Sequence, residues 1–311
     1  MAAWLDEVIQ EESLLYPGHA ACAGCGPAVN MRHFLGALTA ATPGREVVLV
    51  IPASCWTIIA GAWPVSAFGV SVYLTPFASA AAEASGIKSA LRQRGLGDAH
   101  VVVWGGDGST NDIGFATVSA AAERNEDLIY VLNDNEAYMN TGVQKSGGTP
   151  EGAWTTTTPV AAPREGRKKD IDRIMAAHGI PYVATLAAGS VPELKDFRTK
   201  VTRAAELHGF RFLHALGACP PGWRYPTEQS IEIVRRAVES RYFPLLEVDT
   251  GTWRITYRPK HPLPVSEFLT TQGRFGHLSD ERIALVQQHI DERWDLLERL
   301  EAATALEGVT K

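Results

Sequence analysis

The chain has 311 residues, 45% of them hydrophobic, and a formal net charge of −6. That length suits one large α/β domain or two small ones, and the hydrophobic share suits a substantial core. An acidic balance with no basic block argues against nucleic acid and anionic membranes as partners.

The opening MAAWLDEVIQEE is acidic and lacks a basic region followed by an apolar core. No secretion signal is expected, so the compartment is read as the reducing cytoplasm. Next comes GHAACAGCG, which places Cys22 and Cys25 in a loop of small residues. The stretch from Val47 to Ala82 carries no charge and is long enough to span a bilayer. But Pro52, Pro64 and Pro76 interrupt it, and a helix would lose backbone hydrogen bonds there that lipid cannot replace. It reads as a buried strand, a loop, a second strand and the start of a helix around Ala80–Arg94, with no membrane span.

The most informative stretch is Val101–Gln144. Val101–Val103 is an apolar β-branched run that reads as a buried strand. It turns at Gly105-Gly106-Asp107-Gly108, continues as a helical pattern over Asp112–Arg124, and enters a second strand at Leu128–Leu132. A polar turn, Asn133-Asp134-Asn135, follows. This is a βαβ unit, whose crossover puts both turns at the carboxyl edge of a parallel sheet, where ligands bind. Glycines let backbone N–H groups approach an anion closely. Asp107 and Asn135 offer hard oxygens that suit Mg²⁺ held against a diphosphate. The competing reading is ordinary turn chemistry, which favours the same residues.

Thr149–Arg167 reads as a loop near this site. The basic run within Arg164–Lys169 reads as a solvated surface, with a partner contact as the alternative. Strands are expected at Tyr182–Thr185, Phe212–Leu216 and Leu245–Val248, alternating with helices near Ile171–His178, Val191–His208 and Ser230–Ser240. That alternation predicts an α/β fold with a doubly wound, mostly parallel sheet over residues 1–257. From Arg258 the chain carries three prolines and then an amphipathic helix near Ser279–Ala302. Residues 258–311 are read as a C-terminal extension packed on the same domain or on a partner subunit.

The chain has four cysteines: Cys22, Cys25, Cys55 and Cys219. Four thiolates can hold a zinc ion or one [4Fe-4S] cluster. By spacing alone, a cluster, structural zinc and unrelated buried cysteines all stay open. Cys55 and Cys219 both follow apolar strand-like runs, so all four could converge at one sheet edge.

In order along the chain, GHAACAGCG, the single Cys55, GGDG, NDNEAYMNTG and ACPPGW resemble the β subunits of 2-oxoacid:ferredoxin oxidoreductases, the pyruvate:ferredoxin oxidoreductase (pyruvate synthase) group. The resemblance runs from about Tyr16 to Arg258, and more loosely through QGRFGHL. It implies a thiamine-diphosphate-binding α/β domain. The implied reaction is oxidative decarboxylation of a 2-oxoacid, with electrons leaving through a [4Fe-4S] cluster to ferredoxin. Residue by residue, it implies Cys22, Cys25, Cys55 and Cys219 as cluster ligands. Asp107, Asn135 and the Ala137 carbonyl would bind Mg²⁺, and Gly106 and Gly108 would shape the diphosphate turn. Asn140 and Thr141 would face the cofactor's reactive end and the substrate. The resemblance also implies partners: an α subunit supplying the activating Glu, a ferredoxin-like subunit or domain with further clusters, and external ferredoxin.

The chain departs from the family's pattern around Cys55. Ser54 stands where Gly is common, and Thr75-Pro-Phe-Ala-Ser79 replaces a Phe-Glu-Asn segment. Pyruvate is the expected substrate; the hydroxyls of Ser54, Thr57 and Ser79 would better tolerate a polar one, so oxalate, turned over without coenzyme A, is the runner-up. A different class of reading is a non-catalytic, zinc-stabilised subunit that only binds its cofactor.

Overall fold

In the computed structural model, which describes residues 2–61 and 64–307, the β-branched and apolar runs form the centre of one mixed sheet. In chain order the elements begin with α1 (Ala2–Gln10), α2 (Gly26–Ala41), β1 (Val47–Pro52), α3 (Trp56–Ile59), β2 (Ser71–Thr75) and α4 (Ala80–Gln93). They continue with β3 (His100–Gly106), α5 (Phe115–Glu123), β4 (Leu128–Asp134), α6 (Ile171–Ala176), β5 (Tyr182–Leu186), α7 (Val191–Glu206) and β6 (Phe210–Leu216). The last are α8 (Pro220–Trp223), α9 (Ser230–Glu239), β7 (Leu246–Asp249), β8 (Thr252–Ile255), α10 (Ser266–Leu269) and α11 (Asp280–Glu307).

The strand order is β2-β1-β3-β4-β6-β5-β7-β8. The pairs from β2 through β5 are parallel, and β7 and β8 add an antiparallel edge. From β1 the chain crosses outward to β2, then returns over β1 to β3 and runs the other way. The order therefore reverses between β1 and β3, and the loops leaving their carboxyl ends part there to open a crevice.

Alternate residues of the central strands feed two cores. On one face Leu49, Trp104, Ile129 and Leu213 pack under Phe34 and Leu38 of α2 and Phe197 of α7. On the other, Val103, Tyr130 and Phe212 meet Ala84 of α4, Val118 of α5 and Trp294 of α11. Helices on both faces explain why β3 and β4 read as unbroken apolar runs. A third cluster gathers Trp223, Ile233, Phe268 and Phe275 near the carboxyl edge. The C-terminal segment thus packs on the same chain.

The uncharged segment divides as expected into β1, a loop, β2 and the start of α4, with a one-turn helix added after Cys55. Ala62 and Trp63 of that segment lie outside the described residues. No helix among the described residues is long and apolar enough to cross a membrane. Three elements differ from the sequence expectation. Asn133 and Asp134 belong to β4, so the polar turn begins at Asn135. The helix after β3 begins with a wider π-type turn at Ser109–Ile113. Helix α2 is absent from the sequence expectation, although Met31, Phe34, Leu35 and Leu38 bury one face of it at helical spacing.

Candidate active site

Asp107 leaves β3 at the carboxyl edge with a side chain only 1% exposed. Ser146 Oγ donates to its Oδ2, and no cationic side chain among the described residues pairs with it. Burial, reinforced by the charge of nearby Asp134, holds the Asp107 carboxyl well above the usual carboxylate range. Opposite it, the side-chain amide of Asn135 lies between Asp107 Oδ1 and the Ala137 carbonyl. With its nitrogen turned inward it donates to both, at 3.0 and 2.9 Å. With its oxygen turned inward, that oxygen lies 3.0 and 2.9 Å from the other two, crowding that a cation would relieve. An octahedral Mg²⁺ with ~2.1 Å bonds sets adjacent ligand oxygens about 3 Å apart. A carboxylate, an amide oxygen and a backbone carbonyl are hard donors, so these residues fit the ion.

Space for a diphosphate lies beside them. A side chain at Gly106 would meet nothing within 4 Å. Gly108 is a close approach instead: a Cβ there would fall 2.2 Å from the Tyr138 ring, whose hydroxyl donates to the Gly108 carbonyl at 3.1 Å. Gly106, Asp107, Gly108, Asn135, Ala137, Asn140 and Thr141 all border one cavity of about 220 Å³, and Cys55 stands in its wall. Asn140 makes no side-chain hydrogen bond among the described residues, whereas Thr141 Oγ is bonded to Gln144. Phe77 and Met139 give the cavity apolar surface.

The turn after β4 is fixed from every side. Asp134 Oδ1 accepts from the Glu136 N–H at 2.9 Å, and Thr149 Oγ donates to the Glu136 carbonyl at 2.7 Å. Trp223 Nε1 donates to the Asn135 carbonyl at 2.8 Å, tying this turn to the Cys219 loop. Behind it, His214 sits between Asp134 and Asp172 at 3.0 and 2.8 Å. Burial opposes its charge, but the two carboxylates outweigh that and raise its pKa to about 9.

The four cysteines approach one another at the same edge. Cys25 caps α2, and Cys55 and Cys219 each precede a one-turn helix. Gly26 makes this possible. Its N–H donates to the Ala218 carbonyl at 3.0 Å, and a Cβ would lie 2.6 Å from the Ala218 nitrogen. Burial, and then the neighbouring thiolates, push Cys25 and Cys219 up to about 12, against the pull of nearby Ala28 and Gly222 N–H groups. Burial likewise raises Cys55, with Cys22 and Asp107 adding to it, so the cysteine group and the cation turn sense each other. Among the described residues no three of His, Cys, Asp and Glu stand close enough to hold a single metal ion.

Two sequence expectations change. The run at 164–169 is not simply solvated surface. Lys168 turns inward to Glu136 at 2.8 Å and Asp134 at 3.6 Å, Arg164 donates to the Ser146 carbonyl at 2.7 Å, and Lys169 reaches the Asn111 carbonyl. Only Arg167, paired with Glu292, keeps to the exposed surface. The hydroxyls near Cys55 are also engaged. Ser54 donates to the Pro52 carbonyl at 2.9 Å, Thr57 to the Ser54 carbonyl at 2.6 Å, and Ser79 meets Thr75 at 2.9 Å. Sequence reasoning missed Ser146, Glu136, Lys168, Trp223 and Arg274 as parts of the site. Of these, Glu136, Trp223 and Arg274 lay inside quoted motifs, while Ser146 and Lys168 carry no pattern that marks a buried polar residue.

Residues 56–215 match the family described as thiamine pyrophosphate enzyme, C-terminal TPP binding domain. That span holds the cation turn but none of the four cysteines. The ketoisovalerate oxidoreductase subunit VorB of Pyrococcus furiosus is 44% identical over 300 residues, covering 93% of this chain and 94% of the relative. The pyruvate synthase subunit PorB of Methanocaldococcus jannaschii is 45% identical over 296 residues, covering 92% and 97%. A solved 2-oxoglutarate:ferredoxin oxidoreductase from Magnetococcus marinus shares the fold, with a TM-score of 0.58 at 23% identity over 74% of this chain and 80% of that one. Matched across nearly its whole length by such subunits, and carrying the thiamine pyrophosphate domain at its centre, the chain belongs to the β subunits of the 2-oxoacid:ferredoxin oxidoreductases.

Proposed function

We propose that this chain holds the diphosphate half of a 2-oxoacid:ferredoxin oxidoreductase that decarboxylates a small, apolar 2-oxoacid, pyruvate first. The observation that carries this reading is the convergence of oxygens from Asp107, Asn135 and Ala137 in a cavity whose wall includes Cys55. Those three residues would hold Mg²⁺, with Gly106 and Gly108 leaving room for the diphosphate. Cys22, Cys25, Cys55 and Cys219 would hold one [4Fe-4S] cluster. Four thiolates are the ligand set of one [4Fe-4S] cluster, and Cys219 lies near enough to Cys25, Cys55 and Cys22 to feel their charge, which supports the cluster reading. Bound here, the two groups would supply an electron sink for decarboxylation and a one-electron outlet.

The chain's own residues bind and orient. Asn140, free of other bonds, would donate to a substrate carboxylate, and Thr141 would join it on releasing Gln144. Phe77 and Met139 would exclude water from the substrate's apolar end. An α subunit would bring the activating Glu, a ferredoxin-like subunit or domain further clusters, and external ferredoxin would take the electrons, all in the cytoplasm, where thiols stay reduced. With Ser54, Thr57 and Ser79 bonded to their own surroundings, oxalate loses the feature that recommended it. A branched 2-oxoacid is the second reading, favoured by the likeness to a ketoisovalerate oxidoreductase subunit.

The test is anaerobic purification with partner subunits, an iron count, and a visible spectrum recorded with pyruvate, 2-ketoisovalerate or oxalate, each with and without coenzyme A. A brown protein bleached by pyruvate supports the first reading, and faster bleaching by 2-ketoisovalerate the second. Bleaching by oxalate alone without coenzyme A overturns both. A colourless, zinc-rich protein removes the electron-transfer role.

A further inference from the structure

Glu136 stands between two of the candidate cation ligands, Asn135 and Ala137, and is itself fully buried. Its φ is +67°, the left-handed region that a residue with a side chain rarely adopts. In this turn the Asn135 side-chain amide stands against both Asp107 Oδ1 and the Ala137 carbonyl. Glycine would adopt that φ more readily, yet the chain uses a glutamate and grips its carboxylate with three donors. Lys168 Nζ and Tyr242 Oη donate to Oε1 at 2.8 and 2.7 Å, and Arg274 Nη2 donates to Oε2 at 2.6 Å.

The donors come from three separate parts of the chain: the loop after β4, the segment after α9, and the C-terminal extension. Arg274 is 2% exposed, and its guanidinium also lies 3.9 Å from the centre of the Trp223 ring, which bonds the Asn135 carbonyl. The extension therefore reaches the cation turn at two points.

We propose that Glu136 is a positioning residue whose buried grip by Lys168, Tyr242 and Arg274 sets the oxygen geometry for Mg²⁺, so that cation affinity depends on the C-terminal extension. The proposal rests on the reading of Asp107, Asn135 and Ala137 as the cation site. Glu136 touches neither ion nor substrate; it acts through its own backbone, which places the oxygens on either side. Removing an anchor lets the turn relax from a strained conformation that only its surroundings maintain. Supporting residues of this kind typically change metal affinity about 10- to 100-fold.

The experiment uses the full chain assembled with its partner subunits and stripped of metal by a chelator. Thiamine diphosphate is held constant, Mg²⁺ is titrated, and binding is read by tryptophan fluorescence and calorimetry. Glu136→Gln and Arg274→Met are expected to raise the Mg²⁺ midpoint about tenfold or more, with full occupancy restored at high Mg²⁺. Tyr242→Phe, which removes a single donor, is expected to raise it about threefold. A merely structural role would lower the melting temperature and leave the midpoint of the folded protein unchanged. If Arg274→Met does not fold, Glu136→Gln and Tyr242→Phe decide the matter. Midpoints within twofold of the unmodified chain, while Asp107→Asn abolishes the Mg²⁺ response, overturn the proposal and leave the cation site standing. An unchanged midpoint in Asp107→Asn overturns the site and the proposal with it.

Discussion

The two edges of the sheet both bury charge, and they treat it in opposite ways. At the amino edge Asp127, just before β4, is shared by two buried cations, Lys88 at 2.9 Å and Arg211 at 2.5 Å. Burial opposes its charge, but those partners hold its pKa to about 2. At the carboxyl edge Asp134 and Glu136 have cationic partners, while Asp107 among them is left facing oxygens and a serine. Uncompensated buried charge is costly, so a fold keeps it where something else supplies the missing partner. The amino edge is closed by its own residues, and the carboxyl edge keeps a buried carboxyl with no cationic partner among the described residues.

The largest effect should come from breaking the closed edge. Asp127→Asn leaves Lys88 and Arg211 buried without a counter-charge, and should cost about 3–5 kcal/mol in chemical unfolding. Thiamine diphosphate binding by the folded fraction should be unchanged. The mirror experiment, Asp107→Asn, removes a carboxylate that has no cation within the chain. It should leave stability unchanged or raise it, while weakening Mg²⁺ binding by more than the roughly 100-fold reached by supporting residues. A loss of stability in Asp107→Asn similar to that in Asp127→Asn would erase the distinction between the edges.

The histidines sharpen the contrast through pH. His214, near the carboxyl edge, has its pKa raised to about 9, so the folded state holds the extra proton. Its contribution, on the order of 3 kcal/mol, is fully present below about pH 6.5 and is lost as pH rises through 9. His100, at the amino edge, has its pKa lowered to about 4, by burial first and then by Arg211 and other cations. There the unfolded chain takes the proton, so stability is present above about pH 6.5 and is lost as pH falls toward 4. Unfolding curves of His214→Gln and His100→Gln should flatten the alkaline and acid limbs respectively; the reverse assignment would contradict the burial pattern. The smallest effect should be Arg92→Ala. Its guanidinium is half exposed and 3.8 Å from Asp127, so its loss should cost about 0.5 kcal/mol or less in the same assay.

Much of the site was legible before the fold was known. Asp107, Asn135 and the Gly106-Asp107-Gly108 turn follow apolar strands, and the crossover rule alone puts such turns at one edge. The cysteines were legible as a group by number and by their place after strand-like runs. What escaped was the interior of the polar network. Lys168 reads as part of a basic surface run, because nothing in RKKD says which side chain turns inward. The hydroxyls of Ser54, Thr57 and Ser79 read as available to a substrate, because local bonds to backbone and neighbours leave no mark on composition.

By itself the sequence determined the α/β class, the strand–turn–helix–strand unit and the kinds of donor present, since these follow from periodicity, turn chemistry and residue type within short windows. Tertiary structure alone decided that Arg274 and Tyr242 meet the carboxylate of Glu136, residues more than a hundred positions away in the chain. It also decided that Gly26 draws Cys25 toward the Cys219 loop. A buried charge accepts whichever partner packing delivers, and packing brings together segments whose separation along the chain carries no signal.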